Sequence, residues 1–210
     1  MNEEFRKLNA RLAGHCEKFD DNEYYIEYWK GRGKFYAKNY PPNMDDIKFY
    51  RDNLIEIISK LEGIDSIFEF GCGYGKITKL LYEDICKNIL ATDISEDLLN
   101  DAREYLKDYD GIEFEKIDIA ISKPINKFNL CTGVIVLNHI PQHLIEQTIE
   151  NIINSSNKYI VFNEIYGFVD QRYMHSHNLG NIIRKFDNIN IISEFIKCNR
   201  CFIVLEKVIK

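Results

Sequence analysis

The sequence predicts an α/β protein with a mostly parallel seven-stranded sheet, helices on both faces, a terminal antiparallel strand and an N-terminal helical cap. From residue 64 onward, short β-prone apolar runs alternate with helical patterns, as in right-handed crossovers between parallel strands. The last two apolar runs are separated by only a few residues. A parallel crossover needs a dozen or more residues, so these two strands are expected to pair antiparallel.

The elements of this core are predicted in order along the chain. Strands are expected at residues 64–70, 88–92, 112–117, 128–133, 159–163, 189–196 and 201–206. Ser95 is a favourable N-cap for the helix after the second strand, and Pro141 suits the first position of the helix after the fourth. A last helix is expected around residues 178–186, before the antiparallel pair.

The first 60 residues lack this strand pattern and are predicted to form a helical cap, with the core in residues 61–210. Apolar residues recur there at helical spacing, and a helical stretch at 45–60 leads into the first strand. Aromatic side chains are concentrated in the cap. Seven of them lie within 17 positions, namely Tyr24, Tyr25, Tyr28, Trp29, Phe35, Tyr36 and Tyr40.

The chain has 210 residues, a net charge of −6 and 45% hydrophobic residues, which is ordinary for one globular domain. It contains no apolar stretch near the roughly 20 residues that span a bilayer, and its polar start is unlike a signal peptide. We therefore expect a cytoplasmic protein. The negative net charge predicts no nucleic-acid partner, although a basic patch at residues 30–34 is compatible with one. These features leave the oligomeric state open.

Six cysteines are spread along the chain and are expected to be reduced thiols. Cys198 and Cys201 form a C-x-x-C pair that, with His175 and His177, has the residue types of a zinc site. The pair lies between two β-like runs, however, which indicates a hairpin turn. We therefore expect no metal.

A glycine-rich turn follows the first predicted strand. Gly71, Gly73 and Gly75 alternate there, and a helical pattern begins directly after them. Only a residue without Cβ takes positive φ easily and lets backbone N–H groups approach a ligand. Asp93 ends the second strand eighteen residues after Gly75, where a carboxylate is placed to bind both hydroxyls of a ribose. This pattern predicts a site for a nucleoside cofactor.

The spacing of the glycines argues against a dinucleotide. A dinucleotide turn has the form G-x-G-x-x-G/A, and Lys76 stands here in place of its last small residue. Glu69, two residues before the first glycine, would repel a pyrophosphate but suits a cation such as a sulfonium amino acid. A nicotinamide-dependent reductase is a weaker alternative, since the Tyr-x-x-x-Lys pair of its short-chain form occurs nowhere in the sequence. A glycine-rich turn of another α/β protein is a further alternative.

The string from Glu69 to Gly75, together with Asp93, resembles motif I and the ribose-binding acid of class I S-adenosylmethionine (SAM) methyltransferases. The terminal antiparallel strand is also similar to that Rossmann-like family, so the resemblance covers roughly residues 60–210. The resemblance implies SAM as cofactor. The core residues that it assigns to the cofactor are Glu69, Gly71, Cys72, Gly73, Gly75, Asp93, Ile94, Asp118, Ile119, Gly133 and Val134.

The resemblance also implies individual roles for some of these residues. Asp118 would accept a hydrogen bond from the adenine amine and Ile119 would pack on the ring, although an acid at this place also serves as a helix N-cap or a loop residue. Gly133 and Val134 would pass beside the methionine part of the cofactor. An aromatic residue of the cap, Tyr36, would cover the sulfonium through a cation–π contact.

His139 is the predicted catalytic base. It follows the fourth strand, and a histidine pKa of about 6.5 allows it to accept a proton at neutral pH. A structural role is the alternative. Tyr173, His175 and His177, in the loop at 166–177, are candidate contacts for the acceptor.

These assignments predict methyl transfer from SAM to an oxygen or nitrogen of a small molecule, with sugars or glycan precursors as one candidate class. A SAM-binding partner or sensor subunit without catalysis shares all of these motifs and stays an alternative.

Overall fold

The computed structural model describes Trp29 and residues 44–166 and 174–208. Tyr36 and Tyr173 of the predicted site lie outside the described residues, as do the other aromatic residues between positions 24 and 40 except Trp29. None of the helices in the described ranges is long and apolar enough to cross a membrane.

Seven strands form one sheet in the described part of the chain. Their bounds are Ile67–Phe70 (β1), Ile89–Asp93 (β2), Ile112–Lys116 (β3), Phe128–Val134 (β4), Ser156–Ile165 (β5), Ile189–Lys197 (β6) and Arg200–Lys207 (β7). The strand order is β3-β2-β1-β4-β5-β7-β6. β1 pairs in parallel with β2 and β4, whereas β7 pairs antiparallel with β5 and β6. Within this sheet only β7 runs against the other strands, which confirms the predicted fold class.

Helices connect these strands. Their bounds are Met44–Tyr50 (α1), Glu56–Ile58 (α2), Lys76–Asp84 (α3), Glu96–Tyr105 (α4), Ile145–Ser155 (α5) and Leu179–Ile183 (α6). A π-helical turn, Arg51–Ile55, joins α1 to α2, so the helix predicted at 45–60 is one continuous helical segment. Ser95 caps α4 as predicted, because its Oγ accepts the N–H of Leu98 at 3.4 Å.

Two helices differ from their predicted bounds. α5 begins at Ile145 rather than at Pro141, because residues 142–144 form a turn in which the Leu144 N–H donates to the Pro141 carbonyl oxygen at 3.0 Å. α6 ends at Ile183 instead of near residue 186. The N–H groups of Lys185 and Phe186 bond three residues back, as in a tight turn, so the α-helical pattern does not continue to residue 186.

The sheet separates two apolar clusters, which places helices on both of its faces. Phe68 and Phe162 face one cluster, which α5 and α6 cover. Leu130 faces the other, which includes Leu54 of the π-helical turn and Leu81 of α3. The described end of the predicted cap therefore packs on the core, and the domain boundary itself stays a prediction.

A two-residue loop joins β6 to β7. Its residues, Cys198 and Asn199, have φ angles of 51° and 57°, as in the type I′ turn that matches the twist of a hairpin. The hairpin predicted from the C-x-x-C pair is thus confirmed. In the described ranges the cysteines form no disulfide bond with one another. They are Cys72, Cys86, Cys131, Cys198 and Cys201.

Candidate functional site

The glycine turn between β1 and α3 has the backbone geometry that the sequence predicts. The φ angle is 66° at Gly71, 58° at Gly73 and 88° at Gly75, in the left-handed region that favours glycine. A Cβ added at Gly71 would lie 2.4 Å from Val136 Cγ2, and one at Gly75 would lie 2.8 Å from Leu106 Cδ1. At Gly73 it would meet no described atom within 4 Å. Packing requires the first and third glycines, whereas Gly73 faces open space.

That space is a cavity of about 320 Å³ beside the carboxyl ends of β1, β2, β3 and β4. The structure brings most of the predicted cofactor residues together on its walls. Those that line it are Glu69, Gly71, Cys72, Gly73, Asp93, Ile94, Asp118, Ile119 and Val134, together with the predicted base His139. Gly75 and Gly133 lie outside this lining.

Asp93 ends β2 and contacts the glycine turn. Its Oδ2 accepts the N–H of Gly73 at 2.9 Å, and its Oδ1 accepts that of Ser95 at 2.9 Å. The side chain is buried, and burial raises the pKa of Asp93 to about 6 although these N–H groups favour the carboxylate. Asp93 therefore connects the glycine turn to β2 by a hydrogen bond, and it also lines the cavity. The sequence did not indicate the connection to the turn.

Glu69 is a buried carboxyl group on the cavity wall. Its side chain lies on β1, and its Oε2 has no hydrogen-bond partner in the described part of the chain. Burial raises the pKa of Glu69 to about 8, and the nearby charge of Asp93 adds to the rise. A ligand that brings a positive charge or a hydrogen-bond donor to this group would stabilise its ionised form.

Asp118 follows β3 and lines the cavity with Ile119. Its Oδ1 accepts the N–H of Ala120 at 3.0 Å, so the same carboxyl group caps the turn after the strand. Burial raises the pKa of Asp118. The sequence left a capping role and a cavity position as alternatives, and in the structure Asp118 has both.

The chain after β4 forms a cavity wall with an unusual backbone. Val134, Ile135 and Val136 all line the cavity. Ile135 has a φ of 54°, which is rare for a β-branched residue and costs on the order of 1–3 kcal/mol. Gly133 packs against the ring of Phe70 and not on the cavity wall. A Cβ at this position would lie 2.2 Å from Cε2 of Phe70.

His139 ends the 3₁₀ turn Leu137–His139 and lines the cavity. The ring of Trp29 packs edge-to-face on the imidazole, with centroids 4.7 Å apart and planes at 81°. Trp29 lines the cavity as well. The two rings therefore form an aromatic wall next to the strained segment.

His175 and His177 do not line this cavity. The ring of His177 lies between Gln142 Oε1 and the Ile140 carbonyl oxygen, each 3.0 Å from one of its nitrogens. Burial lowers the pKa of His177, which favours the neutral imidazole. Its ring stacks on that of His175, with centroids 5.8 Å apart. These contacts hold His177 against the chain that follows the 3₁₀ turn.

Sequence reasoning missed other residues of the site. Lys76 and Tyr50 line the cavity, and the Lys76 Nζ lies 5.3 Å from the centroid of the Tyr50 ring. Helical spacing places Tyr50 on a helix but gives no sign of a cavity there. Glu164 was also missed. It accepts three backbone N–H groups from the chain after β4, and no local pattern links residues so far apart.

Comparison with known proteins shows similarity to methyltransferases. A sequence profile described as a methyltransferase domain matches residues 67–157, from β1 to the start of β5. DhpI, solved in complex with S-adenosylhomocysteine (SAH), has a TM-score of 0.66 at 15% identity, over 87% of this chain and 94% of that one. The chain therefore has the fold of the class I methyltransferases, and its residues 67–157 match a methyltransferase domain.

Two further methyltransferases are similar to this chain. Magnesium protoporphyrin IX methyltransferase from Synechocystis PCC 6803, with bound SAH, has a TM-score of 0.65 at 14% identity, over 93% of this chain and 99% of that one. At such identities the likeness concerns the fold. Ribosomal RNA small subunit methyltransferase A of Fusobacterium nucleatum is 28% identical over 127 residues. That match covers 59% of this chain and 44% of the relative, so this chain spans less than half of the relative's length.

Proposed function

We propose that the protein is a SAM-dependent methyltransferase that methylates an oxygen or nitrogen of a small molecule. One observation carries the proposal, namely an open glycine turn beside a buried carboxyl group, one oxygen of which has no hydrogen-bond partner among the described residues. A Cβ at Gly73 would enter the cavity, and Glu69, with its Oε2 unbonded in the described residues, lines the same space. A nucleoside joined to a cationic amino acid suits both features.

Each of several cavity residues is proposed to bind a different part of such a ligand. The Asp93 carboxylate is placed to accept hydrogen bonds from ribose hydroxyls while it holds the N–H of Gly73. Asp118 is proposed to accept the adenine amine, with Ile119 against the ring. Glu69 would neutralise the charge of the amino-acid part. When bound, SAM supplies a methyl group that is already activated on a sulfonium.

Catalysis then requires alignment, exclusion of water and, for a hydroxyl acceptor, removal of a proton. His139 is the proposed base, because it is a histidine on the cavity wall. The edge-to-face contact with Trp29 fixes the plane of its ring, which supports a defined direction for proton transfer. Val134 and Val136 on the adjoining wall are apolar and would help to exclude water.

The acceptor is proposed to be a small molecule, and sugars or glycan precursors remain the candidate class from the sequence. The similarity to a ribosomal RNA methyltransferase supports a second candidate, a nucleic-acid acceptor, despite the negative net charge. A SAM-binding subunit without catalysis is the third. The cytoplasmic location stays a prediction from the sequence.

Isothermal titration with SAM, SAH and NAD(H) tests the cofactor. We expect binding of SAM and SAH and none of NAD(H), and the reverse result would contradict the proposal. Conversion of SAM to SAH is then measured with the pure protein alone, with pooled small-molecule hydroxyl and amine acceptors, and with RNA. Turnover only with the small-molecule pool supports the first acceptor class, turnover only with RNA supports the second, and no turnover despite tight binding supports the inactive subunit.

A further inference from the structure

One carboxyl group holds the chain segment that follows β4. Glu164, near the end of β5, is 1% exposed. Its Oε1 accepts the N–H groups of Val136 at 3.1 Å and Leu137 at 3.0 Å, and its Oε2 accepts that of Asn138 at 3.2 Å. Three consecutive backbone donors thus converge on one side chain of the neighbouring strand.

This arrangement lies next to the strained residue of the cavity wall. Ile135 has a φ of 54°, and its N–H donates to the carbonyl oxygen of Asn163 at 2.9 Å. A left-handed β-branched residue persists only where surrounding contacts over-determine its conformation. β5 supplies these contacts, through the Asn163 carbonyl at Ile135 and through Glu164 at the three residues that follow.

The same turn is tied to the loop before α6. Asn138 Oδ1 accepts the N–H of Ile165 at 2.8 Å, and Asn138 Nδ2 donates to the His175 carbonyl oxygen at 3.1 Å. The N–H of His175 donates in return to the Asn138 carbonyl oxygen at 2.7 Å. His139, which lines the cavity, is the next residue along the turn.

We propose that Glu164 is a positioning residue whose carboxylate fixes the segment 135–139 as a rigid wall of the cofactor cavity. The inference rests on the proposed function, because a fixed wall affects the cofactor only if the cavity binds it. Glu164 does not line the cavity and acts through the backbone that it holds. An ionised carboxylate accepts on both oxygens, whereas a neutral carboxyl group carries a hydroxyl that competes with one N–H donor.

The charge state of Glu164 gives the inference a pH dependence. Burial raises the pKa of Glu164 to about 7, although the three N–H groups and the charge of Arg200 favour the carboxylate. Cys201 also interacts with it, and burial raises the pKa of that thiol to about 11. His139 and His175 lie on the turn and on the loop tied to it. The three hydrogen bonds are therefore strongest above pH 7 and weaken below it.

The first test follows the amide resonances of Val136, Leu137 and Asn138 by NMR in the ligand-free full chain, from about pH 5.5 to 9. We expect these amides to titrate with a common midpoint near the pKa of Glu164 and to lose that midpoint in Glu164→Gln. Glu194→Gln is the matched control, since it removes an exposed carboxylate that pairs with Arg184 at 3.0 Å. Absence of the titration in the wild type, or its persistence in Glu164→Gln, overturns the inference. If Glu164→Gln does not fold, the titration is repeated in His139→Gln and His175→Gln, and loss of the common midpoint in either variant overturns the inference.

The second test measures the affinity for SAH at pH 8 by isothermal titration. Glu164→Gln should weaken binding about tenfold, because charge-assisted hydrogen bonds to the wall are lost, whereas Glu194→Gln should leave it unchanged. Equal affinity of Glu164→Gln and wild type overturns the positioning role. If the wild type does not bind SAH, the proposed function is wrong. The amide titration then still tests whether Glu164 holds the turn.

Discussion

Binding of SAH at pH 7 is expected to release about one proton, most of it from Glu69. This carboxyl group is buried on the cavity wall with a pKa of about 8, so about nine-tenths of the molecules carry the proton before the ligand binds. The ammonium group of the ligand would favour the carboxylate and displace that proton. Asp93, with a pKa of about 6, adds about a tenth of a proton.

The protonation of Glu69 also makes the affinity for SAH depend on pH. Ionising Glu69 at pH 7 costs about 1.4 kcal/mol, because the pH lies one unit below the pKa. The ionised fraction of Glu69 rises from about 1% at pH 6 to about 50% at pH 8, so Glu69 alone should raise the affinity for SAH about 50-fold over that range, and Asp93 should add about a factor of two. At pH 9 Glu69 is mostly ionised without ligand, and the release should fall to about a tenth of a proton.

Isothermal titration in phosphate and in Tris, which differ in ionisation enthalpy, measures the number of protons released. Glu69→Gln is the matched variant, since its amide keeps the shape of the side chain without the proton. Its release at pH 7 should drop to the small contribution of Asp93. Equal binding enthalpies of the wild type in the two buffers would refute the reasoning, as would proton uptake in place of release.

The remaining predictions concern the turn, the base and stability. Gly73→Ala should lose SAH binding, because its Cβ enters the cavity, and should lower the melting temperature only through the strain of its left-handed backbone. Gly71→Ala should lower the melting temperature further, because its Cβ also meets a side chain at 2.4 Å; equal melting temperatures of the two variants would contradict this. Asp93→Ala should weaken SAH binding by about 2 to 4 kcal/mol and lower the melting temperature, since two backbone N–H groups lose their acceptor; unchanged affinity would show that another acid binds the ribose. His139→Ala should lower kcat by about 10²- to 10⁴-fold for a hydroxyl acceptor and little for an amine, with SAH affinity unchanged; a full rate with a hydroxyl acceptor would exclude it as the base. Because the folded-state pKa values of Asp93 and Glu69 are raised to about 6 and about 8, their contribution to stability is full below the unfolded-state pKa of about 4 and is lost as the pH rises from there through the two folded-state values. The ligand-free protein should therefore melt at a lower temperature at pH 8.5 than at pH 5.5, and a melting temperature that rises over this range would contradict the assignment.

The parts of the site that the sequence predicted depend on local chemistry. Positive φ at Gly71, Gly73 and Gly75 follows from the residue type and the strand-to-helix turn, and the structure confirms it. The position of Asp93 next to that turn follows from the parallel pairing of β1 with β2, because adjacent parallel strands end at the same edge of the sheet. Alternation of strands and helices was enough to place both strands.

The wall after β4 was not predictable in the same way. Ile135 is β-branched, and its local preference is for extended backbone, so no sequence pattern indicates a φ of 54°. The group that holds the turn, Glu164, comes from β5, far along the chain. In the sequence it is one acidic residue at the end of an apolar run, and only the folded sheet brings it to the three N–H groups.

The two glutamates of the site lie on opposite faces of the sheet, and this makes their pH effects separable. On β1, Glu69 stands between Phe68 and Phe70 and therefore lies on the opposite face of the sheet from them. On β5, Glu164 follows Phe162 by two residues and therefore lies on the same face as Phe162. Phe68, Phe70 and Phe162 share one apolar cluster, so Glu164 is on their side and Glu69 is on the other. Glu69→Gln should therefore remove most of the proton release on binding at pH 7, while the amides held by Glu164 keep their midpoint near pH 7. A variant that removed both effects at once would mean that one carboxyl group, and not two, controls the site.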